Sequence, residues 1–384
     1  MGALESSESE EAQMQNAKMT LGLVLSTKPS IGGGHVYESV LEEVIRTTSA
    51  TASFEIVVIR KQDGGYRLES PGPKFPIKKS FTLKVPGKAF RDNEGSLSAV
   101  VKDLSLDLIY FASPVQALAE RLDIPYIATV WDLGFLELSH FPEFTGDYGR
   151  KMFDVLGRAL PRAFRVVVES EATKTRLGEL FRLDQSRVAV IGLPLPDLTP
   201  EPNPSVNIPE PYFVYPAKFW PHKNHQTLFE AFRQVLATHP SVCLVLTGID
   251  ADQTDAVRKR LIAHEIEHAT KVFGRLERAD LLAVIAKAQG LLMPTLLGPT
   301  NYPPLEAMGL GVSVLMSDVH KFDFDLPQSA RLVPALEAKQ WAREIVAILT
   351  NPPPRSTFTP PSVAHSRLKE IFLDFARDRK LWKD

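Results

Sequence analysis

Short apolar runs alternate with segments of helical periodicity along nearly the whole chain of 384 residues. In the first such unit the run MTLGLVLS precedes a glycine-rich loop and the segment HVYESVLEEVI, where Val36, Val40 and Val44 share one helical face. This alternation is typical of parallel sheets that are covered by helices on both faces. The sequence therefore predicts an α/β protein with doubly wound, Rossmann-like sheets.

A proline-rich segment at 192–211, GLPLPDLTPEPNPSVNIPEP, interrupts the alternation. Proline breaks helices and strands and makes a linker semi-rigid. The alternation resumes after this segment, and the chain is longer than one core usually supports. We therefore predict two Rossmann-like domains that face each other across a cleft, at 19–195 and 212–365, joined by a linker at 196–211.

The two ends of the chain are expected to lie outside these domains. Residues 1–18 are polar and acidic, which predicts a disordered tail, and 366–384 form an amphipathic pattern that predicts a helix packing back on the N-terminal domain. No transmembrane helix or signal peptide is expected, and the single cysteine, Cys243, suits a reducing compartment. These features predict a cytoplasmic protein. A net charge of −2 gives no electrostatic reason to expect nucleic acid as a partner.

The loop SIGGGHVYES places Gly33 and Gly34 between the first predicted strand and a helix N-terminus. Glycine lets backbone N–H groups approach a ligand closely, and a helix N-terminus favours an anion. An ordinary turn explains the glycines equally well. This segment alone therefore leaves contact with a phosphate open.

The segment YPAKFWPHKNHQTLFEA places Lys218 and Lys223 in a short loop between a predicted strand and a predicted helix. Two ammonium groups beside a helix N-terminus are suited to hold a diphosphate. Surface lysines are usually solvated, but the aromatic and proline residues between these two indicate a shaped loop. We therefore regard the lysine pair as a candidate anion clamp.

Glu306, in GPTNYPPLEAMGL, is the only acidic residue between Asp280 and Asp318. A carboxylate early in a helix interacts favourably with the helix dipole, which is one explanation for it. A carboxylate also accepts both hydroxyls of a vicinal diol, as the acidic residue of Rossmann nucleotide sites does with ribose. Glu306 is therefore a candidate for binding the sugar of a nucleotide.

Taken together, YPAKFWPHKNHQTLFEA and GPTNYPPLEAMGLGVSVLMSD resemble the retaining GT-B glycosyltransferases of family GT4, and especially a subgroup with FWPHKN and GPTNxPPLEA motifs. The resemblance implies an enzyme that moves a hexose of the mannose or glucose type from a GDP- or UDP-sugar. The acceptor would be a hydroxyl of a glycan, a lipid-linked molecule or a small molecule. No metal cofactor is implied, because lysines supply the positive charge.

The resemblance also implies a role for each candidate residue. Lys218, Lys223 and Asp132 are the implied catalytic residues, and the two lysines grip the donor diphosphate. The implied donor contacts are Glu306 for the ribose, Leu305 near the phosphates, Gly274, Arg275 and Leu276 for the base, Gly33 and Gly34 near the β-phosphate, and Thr300 and Asn301 for the sugar.

Two positions depart from the family pattern. The family commonly has a second glutamate eight positions before the ribose-binding one, where this chain has Gly298. It also often has a His-Asp pair where this chain has Trp131 and Asp132. These departures leave the donor sugar open, and they keep a non-catalytic subunit that binds a partner transferase as an alternative. A nucleotide-sugar epimerase or a phosphorylase of the same fold is a further alternative.

Two other patterns were weighed against simpler explanations. The D-x-D triplets at 250–252 and 323–325 resemble metal-binding pairs, but solvated loop carboxylates explain them better, and no zinc pattern of histidines occurs.

The basic segment 73–91 carries interleaved phenylalanines and suits peripheral contact with the inner membrane face or a lipid-linked acceptor. A solvated surface loop is the favoured interpretation of that segment.

Overall fold

The computed structural model describes residues 19–25, 33–51, 54–62, 65–69, 81–82, 93–112, 122–145, 147–201 and 205–383. The predicted tail at 1–18 and all of the basic segment 73–91 except 81–82 lie outside these residues. The chain divides into two compact units. The first unit comprises Met1–Trp131, Arg150–Pro194 and Ser362–Asp384, and the second comprises Asp132–Gly149 and Leu195–Pro361.

The first unit is built on an eight-stranded sheet with the spatial order β4-β3-β2-β1-β5-β6-β7-β8. All neighbouring strands are parallel except β3, which runs antiparallel to β2 and β4. The strands are β1 (Met19–Leu25), β2 (Phe54–Gln62), β3 (Gly65–Glu69), β4 (Phe81–Thr82), β5 (Leu108–Phe111), β6 (Tyr126–Val130), β7 (Arg165–Val168) and β8 (Val188–Val190).

Helices accompany this sheet, as the alternating pattern predicts. They are α1 (Gly33–Thr51), α2 (Asn93–Asp103), α4 (Asp147–Ala159), of which 150–159 belong to the first unit, α5 (Glu171–Phe181) and the C-terminal α11 (Ala364–Lys383). Helix α11 packs on α1 and on the sheet, where the ring of Phe372 lies 5.2 Å from that of Phe54. An ion pair of 2.9 Å between Arg165 and Asp374 also joins α11 to β7.

The second unit is built on a six-stranded, fully parallel sheet with the spatial order β11-β10-β9-β12-β13-β14. Its strands are β9 (Tyr212–Pro216), β10 (Cys243–Thr247), β11 (Thr270–Val272), β12 (Gly290–Met293), β13 (Ser313–Ser317) and β14 (Ala330–Val333). Its helices are α3 (Gly134–Glu137), α6 (His225–Leu236), α7 (Thr254–Ala263), α8 (Arg278–Lys287), α9 (Tyr302–Gly309) and α10 (Ala338–Thr350).

The strand order of the second sheet reverses between β9 and β12, which is the switch point of a Rossmann-type sheet. Cys243 is buried at the start of β10, as its apolar neighbours predict. Both units are parallel-sheet α/β folds, so the predicted fold class is confirmed. Among the helices of the described residues, none combines the length and the apolar composition that a bilayer span requires.

Residues 132–149 belong to the second unit, although a division at the proline-rich linker assigned them to the N-terminal domain. Packing explains this placement. Gly134 packs closely on Leu297, and a Cβ atom at this position would lie 2.4 Å from the nearest Leu297 side-chain atom, so a larger residue would have to displace that side chain. The Phe144 ring also lies 5.6 Å from that of His222.

Candidate functional site

The loops after β9 and β12 leave the sheet at its switch point and are hydrogen-bonded to each other. The His222 carbonyl accepts hydrogen bonds from the Leu296 backbone N–H at 2.7 Å and from the Thr295 hydroxyl at 3.2 Å. Asn224 adopts a left-handed conformation, with φ of 54°, that asparagine tolerates better than most residues. Its amide Nδ2 donates to the carbonyls of Pro294 and Ala335, at 2.9 and 2.7 Å, which fixes the loop over the ends of β12 and β14.

Lys218 lies at the start of the loop after β9, as the sequence predicts. Its ammonium group is 3.0 Å from an Asp250 carboxylate oxygen and 5.2 Å from the centre of the Trp220 ring. Asp250, the first residue of a D-x-D triplet, therefore has a lysine as its partner. This ion pair places Lys218 between the carboxyl ends of β9 and β10.

Lys223 ends a short 3₁₀ turn, Pro221–Lys223, and its side chain is partly buried. Burial lowers its pKa to about 8, while the negative charges of Asp132 and Glu143 act to raise it. Burial likewise raises the pKa of Asp132, which is opposed by the Gly134 backbone N–H at 2.9 Å and by the Lys223 ammonium. The structure therefore brings two of the predicted catalytic residues, Lys223 and Asp132, into one electrostatic cluster.

Glu143 holds the same turn through His222, and neither of these roles was predicted from the sequence. One Glu143 oxygen accepts from the His222 backbone N–H at 2.9 Å and from its ring Nδ1 at 2.5 Å. Burial opposes the charge of Glu143, but these hydrogen bonds from His222 outweigh it and hold the pKa of the carboxyl below its usual range. Burial lowers the pKa of His222 to about 4, so the ring is neutral at pH 7 and donates through Nδ1.

Asn301, a predicted sugar contact, lies in the loop after β12 and is oriented by His320. The His320 Nδ1 lies 2.9 Å from the Ser317 carbonyl, which can only accept, so Nδ1 carries the hydrogen and Nε2 is an acceptor. The Asn301 Nδ2 donates to this Nε2 at 3.1 Å and to the Gly298 carbonyl at 3.4 Å. The amide is therefore turned so that its oxygen remains as an acceptor. Thr300 is the neighbouring half-buried residue.

Gly298 stands where the family has its second glutamate, and its backbone cannot readily accept a side chain. Its φ is 98°, in the region that glycine favours. A Cβ atom at this position would lie 3.0 Å from the Asn301 Nδ2 and 3.2 Å from the Thr300 carbonyl oxygen. The Asn301 amide thus lies beside the position where a side chain at 298 would begin.

Glu306 lies in α9, where it is 2% exposed. Its Oε1 is 2.6 Å from the Nη1 of Arg278, the first residue of α8. Burial raises the pKa of Glu306, and the Arg278 charge and hydrogen bond act to lower it. Arg278 was missed from the sequence, because the segment VFGRLERADL holds two arginines and only Arg275 matched the family pattern.

The remaining predicted contacts lie in both units. Gly274 and Arg275 are exposed and Leu276 is half-buried in the loop that leads to Arg278, while the Leu305 side chain is buried in α9. In the first unit, Gly33 and Gly34 form the first turn of α1, and Trp131 packs edge-on against Tyr37 at 5.8 Å. The second unit therefore holds every predicted residue except the two glycines.

Two family models match this chain, one in each half. Residues 38–195 match the model described as Glycosyltransferase Family 4, and residues 201–360 match the one described as Glycosyl transferases group 1. A glycogen synthase of Mycobacterium tuberculosis is 23% identical over 217 residues, which are 54% of this chain and 50% of that protein. The chain spans about half the length of the curated relatives that it matches.

Several solved structures match nearly the whole chain. Sucrose-phosphate synthase from Thermosynechococcus elongatus has a TM-score of 0.66 at 18% identity and covers 94% of both chains. HepE of Anabaena, solved in complex with UDP and glucose, has a TM-score of 0.59 at 16% identity and covers 94% of this chain and 95% of its own. These likenesses confirm the predicted GT-B fold.

Proposed function

We propose that this chain, which glycosyltransferase models match in both halves, is an enzyme that transfers a hexose from a nucleotide-diphosphate sugar to an acceptor hydroxyl with retention of configuration. The family matches and the GT-B fold support a glycosyltransferase. The presence of UDP and glucose in the HepE structure supports a nucleotide-sugar donor. The motif resemblance is the basis for retention of configuration and for a hexose as the transferred sugar. It is also the basis for the acceptor class, which we take to be a glycan, a lipid-linked molecule or a small molecule.

The observation that carries the proposal is the position of the lysines at the switch point of the second sheet. Ligands of open α/β sheets bind beyond the carboxyl ends of the strands at this point. Lys218 and Lys223 both lie in the loop after β9, beside the loop after β12. With a pKa of about 8, Lys223 is mostly protonated at neutral pH, so the site carries positive charge for a diphosphate.

The donor would extend from these lysines in two directions. Towards α9, Glu306 would accept the ribose hydroxyls, and Gly274, Arg275 and Leu276 would border the base. Towards the loop after β12, the hexose would meet Thr300 and Asn301. Because Gly298 offers no carboxylate there, the amide oxygen of Asn301 would accept a sugar hydroxyl in its place.

Catalysis in this proposal consists of charge stabilisation and positioning. The bond between the anomeric carbon and the diphosphate oxygen breaks, and the electron pair leaves with the nucleoside diphosphate. The acceptor hydroxyl attacks the anomeric carbon on the same face and gives its proton to the leaving phosphate. Lys218 and Lys223 stabilise the developing negative charge, and Asp132 keeps Lys223 protonated.

The first test is a binding and turnover screen with UDP, GDP and their hexose conjugates. We expect one nucleotide to raise the melting temperature of the wild-type protein and Lys223→Ala to abolish that rise. Lys259→Ala, at an exposed position of α7, serves as the matched control. If neither nucleotide raises the melting temperature, or if Lys223→Ala binds as tightly as wild type, the proposal fails.

Product analysis with labelled donor separates the alternatives. A transferase passes the label to an added acceptor or, slowly, to water with the anomeric configuration retained. An epimerase returns an altered sugar without an acceptor, and a phosphorylase requires inorganic phosphate. An isolated chain that binds the donor without any turnover would instead support a non-catalytic subunit.

A further inference from the structure

Glu306 is a buried carboxylate whose partner comes from a neighbouring helix. Arg278 opens α8, Glu306 lies in α9, and Nη1 is 2.6 Å from Oε1. A carboxylate that is 2% exposed is costly to ionise unless a charged hydrogen-bond partner compensates it. The guanidinium supplies that compensation through a charged hydrogen bond.

The ion pair uses only part of each side chain. In the part of the chain that the structure describes, the Glu306 carboxylate has no other hydrogen bond, so Oε2 keeps its acceptor capacity. On Arg278, Nη2 is buried and has no hydrogen-bond partner among the described residues. A buried donor left unpaired lowers stability, and such groups usually call for an explanation.

A hydroxyl group complements this pair, because it can donate to Oε2 and accept from Nη2 at the same time. We propose that Arg278 is a positioning residue that keeps Glu306 ionised and turns Oε2 towards the ribose diol of the donor. This inference rests on the proposed function, which places the ribose at Glu306. It adds that recognition of the ribose depends on Arg278 as well as on Glu306.

A purely structural role for the pair has a different signature. If the ion pair only joins α8 to α9, its removal would lower stability but would leave the preference for ribose over deoxyribose unchanged. If Arg278 positions Glu306, its removal would lower that preference. That removal would also make the preference depend on pH, because without Arg278 the buried carboxyl of Glu306 takes up a proton at a higher pH.

The experiment compares UDP or GDP, whichever the protein binds, with its 2′-deoxy and 3′-deoxy analogues by calorimetry between pH 6 and 8. We expect wild type to prefer the ribonucleotide by about ten- to hundredfold, as a hydrogen bond to a charged group implies. Glu306→Gln should lose most of this preference. In Arg278→Gln the affinities for the ribonucleotide and its deoxy analogues should differ by no more than about threefold at pH 6. Part of the preference for ribose should return as the pH rises and Glu306 ionises.

Arg278→Lys keeps the positive charge and is expected to retain the preference at pH 7 to within about threefold of wild type. Arg343→Gln, at an exposed position of α10, is the matched control for the loss of an arginine. If Arg278→Gln does not fold, Arg278→Lys still decides. Loss of the preference in that variant would overturn the role of the charge.

The outcomes separate this inference from the function on which it rests. If wild type binds nucleotides but does not distinguish ribose from deoxyribose, the ribose does not face Glu306, and the inference is overturned while the transferase proposal survives. If wild type distinguishes them and Arg278→Gln does so equally well at every pH, Arg278 has a structural role only. If no nucleotide binds at all, both proposals fail.

Discussion

Three buried histidines predict that the second unit loses stability steeply in mild acid. His222, His225 and His320 are each less than 5% exposed. Burial lowers their pKas from 6.5 to about 4, about 3 and about 4, respectively. All three are therefore neutral in the folded protein at pH 6, whereas the unfolded chain binds protons there.

The sign and size of the effect follow from this difference. The stabilisation is complete above pH 6.5 and is lost as the pH falls towards the folded-state pKas. Each histidine changes the free energy of unfolding by about 1.4 kcal/mol per pH unit in that window, so three change it by about 4 kcal/mol per pH unit. A domain is typically stable by about 5–15 kcal/mol. Burial raises the pKas of Asp132 and Glu306, so these carboxyls bind protons in the folded state before they do so in the unfolded chain. At the lowest pH values they therefore offset part of the loss in the free energy of unfolding.

Cys243 offers a site-specific assay, because it is the only cysteine in the chain and is buried in β10. Urea unfolding at pH 7.0, 6.5, 6.0 and 5.5 would be followed by its reaction with a disulfide reagent that is active in acid. His225→Phe should remove one third of the dependence of the unfolding free energy on pH, because it removes one of the three histidines. Phenylalanine suits this position, since the His225 ring packs 4.8 Å from Tyr215 and 4.9 Å from Phe219. Exposed His268→Gln is the control. A free energy of unfolding that stays constant down to pH 5.5, or an unchanged slope in His225→Phe, would refute the reasoning.

Two substitutions test the loops at the switch point. Glu143→Ala leaves the two His222 donors without their acceptor, so it should destabilise the second unit by about 2–4 kcal/mol in the same Cys243 assay. Glu143→Gln keeps an acceptor oxygen and should lose less than half as much. Equal losses in both variants would contradict the hydrogen-bonded geometry. Gly298→Ala forces a side chain onto a φ of 98° beside Asn301, so it should weaken binding of the intact nucleotide sugar while free nucleotide binds as before. Both affinities would be measured by calorimetry, with Gly157→Ala as a control at a position open to a Cβ atom. Equal changes in both affinities would show that Asn301 does not face the sugar.

The sequence predicted the fold and the loops of the site because both depend on local patterns. The apolar runs that form β9 and β12 are short, continuous and followed by loops rich in glycine, proline and lysine. Parallel strands place such loops at one edge of the sheet, and the loops after β9 and β12 are hydrogen-bonded to each other there. Placing Glu306 in a helix required only the preference of proline for the first turn. The helix begins at Tyr302 and includes both prolines, so Glu306 lies beyond the first turn, where it had been expected.

The residues that the sequence did not predict act across long separations in the chain. Glu143 is 79 positions from His222, and Arg278 is 28 positions from Glu306. Nothing in the local pattern around Glu143 distinguishes it from a surface carboxylate. Residues 132–149 belong to the second unit, where Gly134 packs closely on Leu297, 163 positions away, and a helix or strand pattern does not reveal such a contact.

The neutral histidines explain how the candidate site concentrates its positive charge. Ordinary histidines at positions 222 and 320 would become cationic near pH 6 and would repel the Lys223 ammonium. Burial prevents this, so their rings act as neutral donors and acceptors that hold Glu143 and Asn301 in place. Lys223, by contrast, lies near two carboxylates that help to maintain its charge despite burial. The diphosphate would therefore meet a Lys223 ammonium that is mostly protonated at pH 7, while the hexose would meet a neutral amide, and the two neighbouring histidines would add no positive charge of their own.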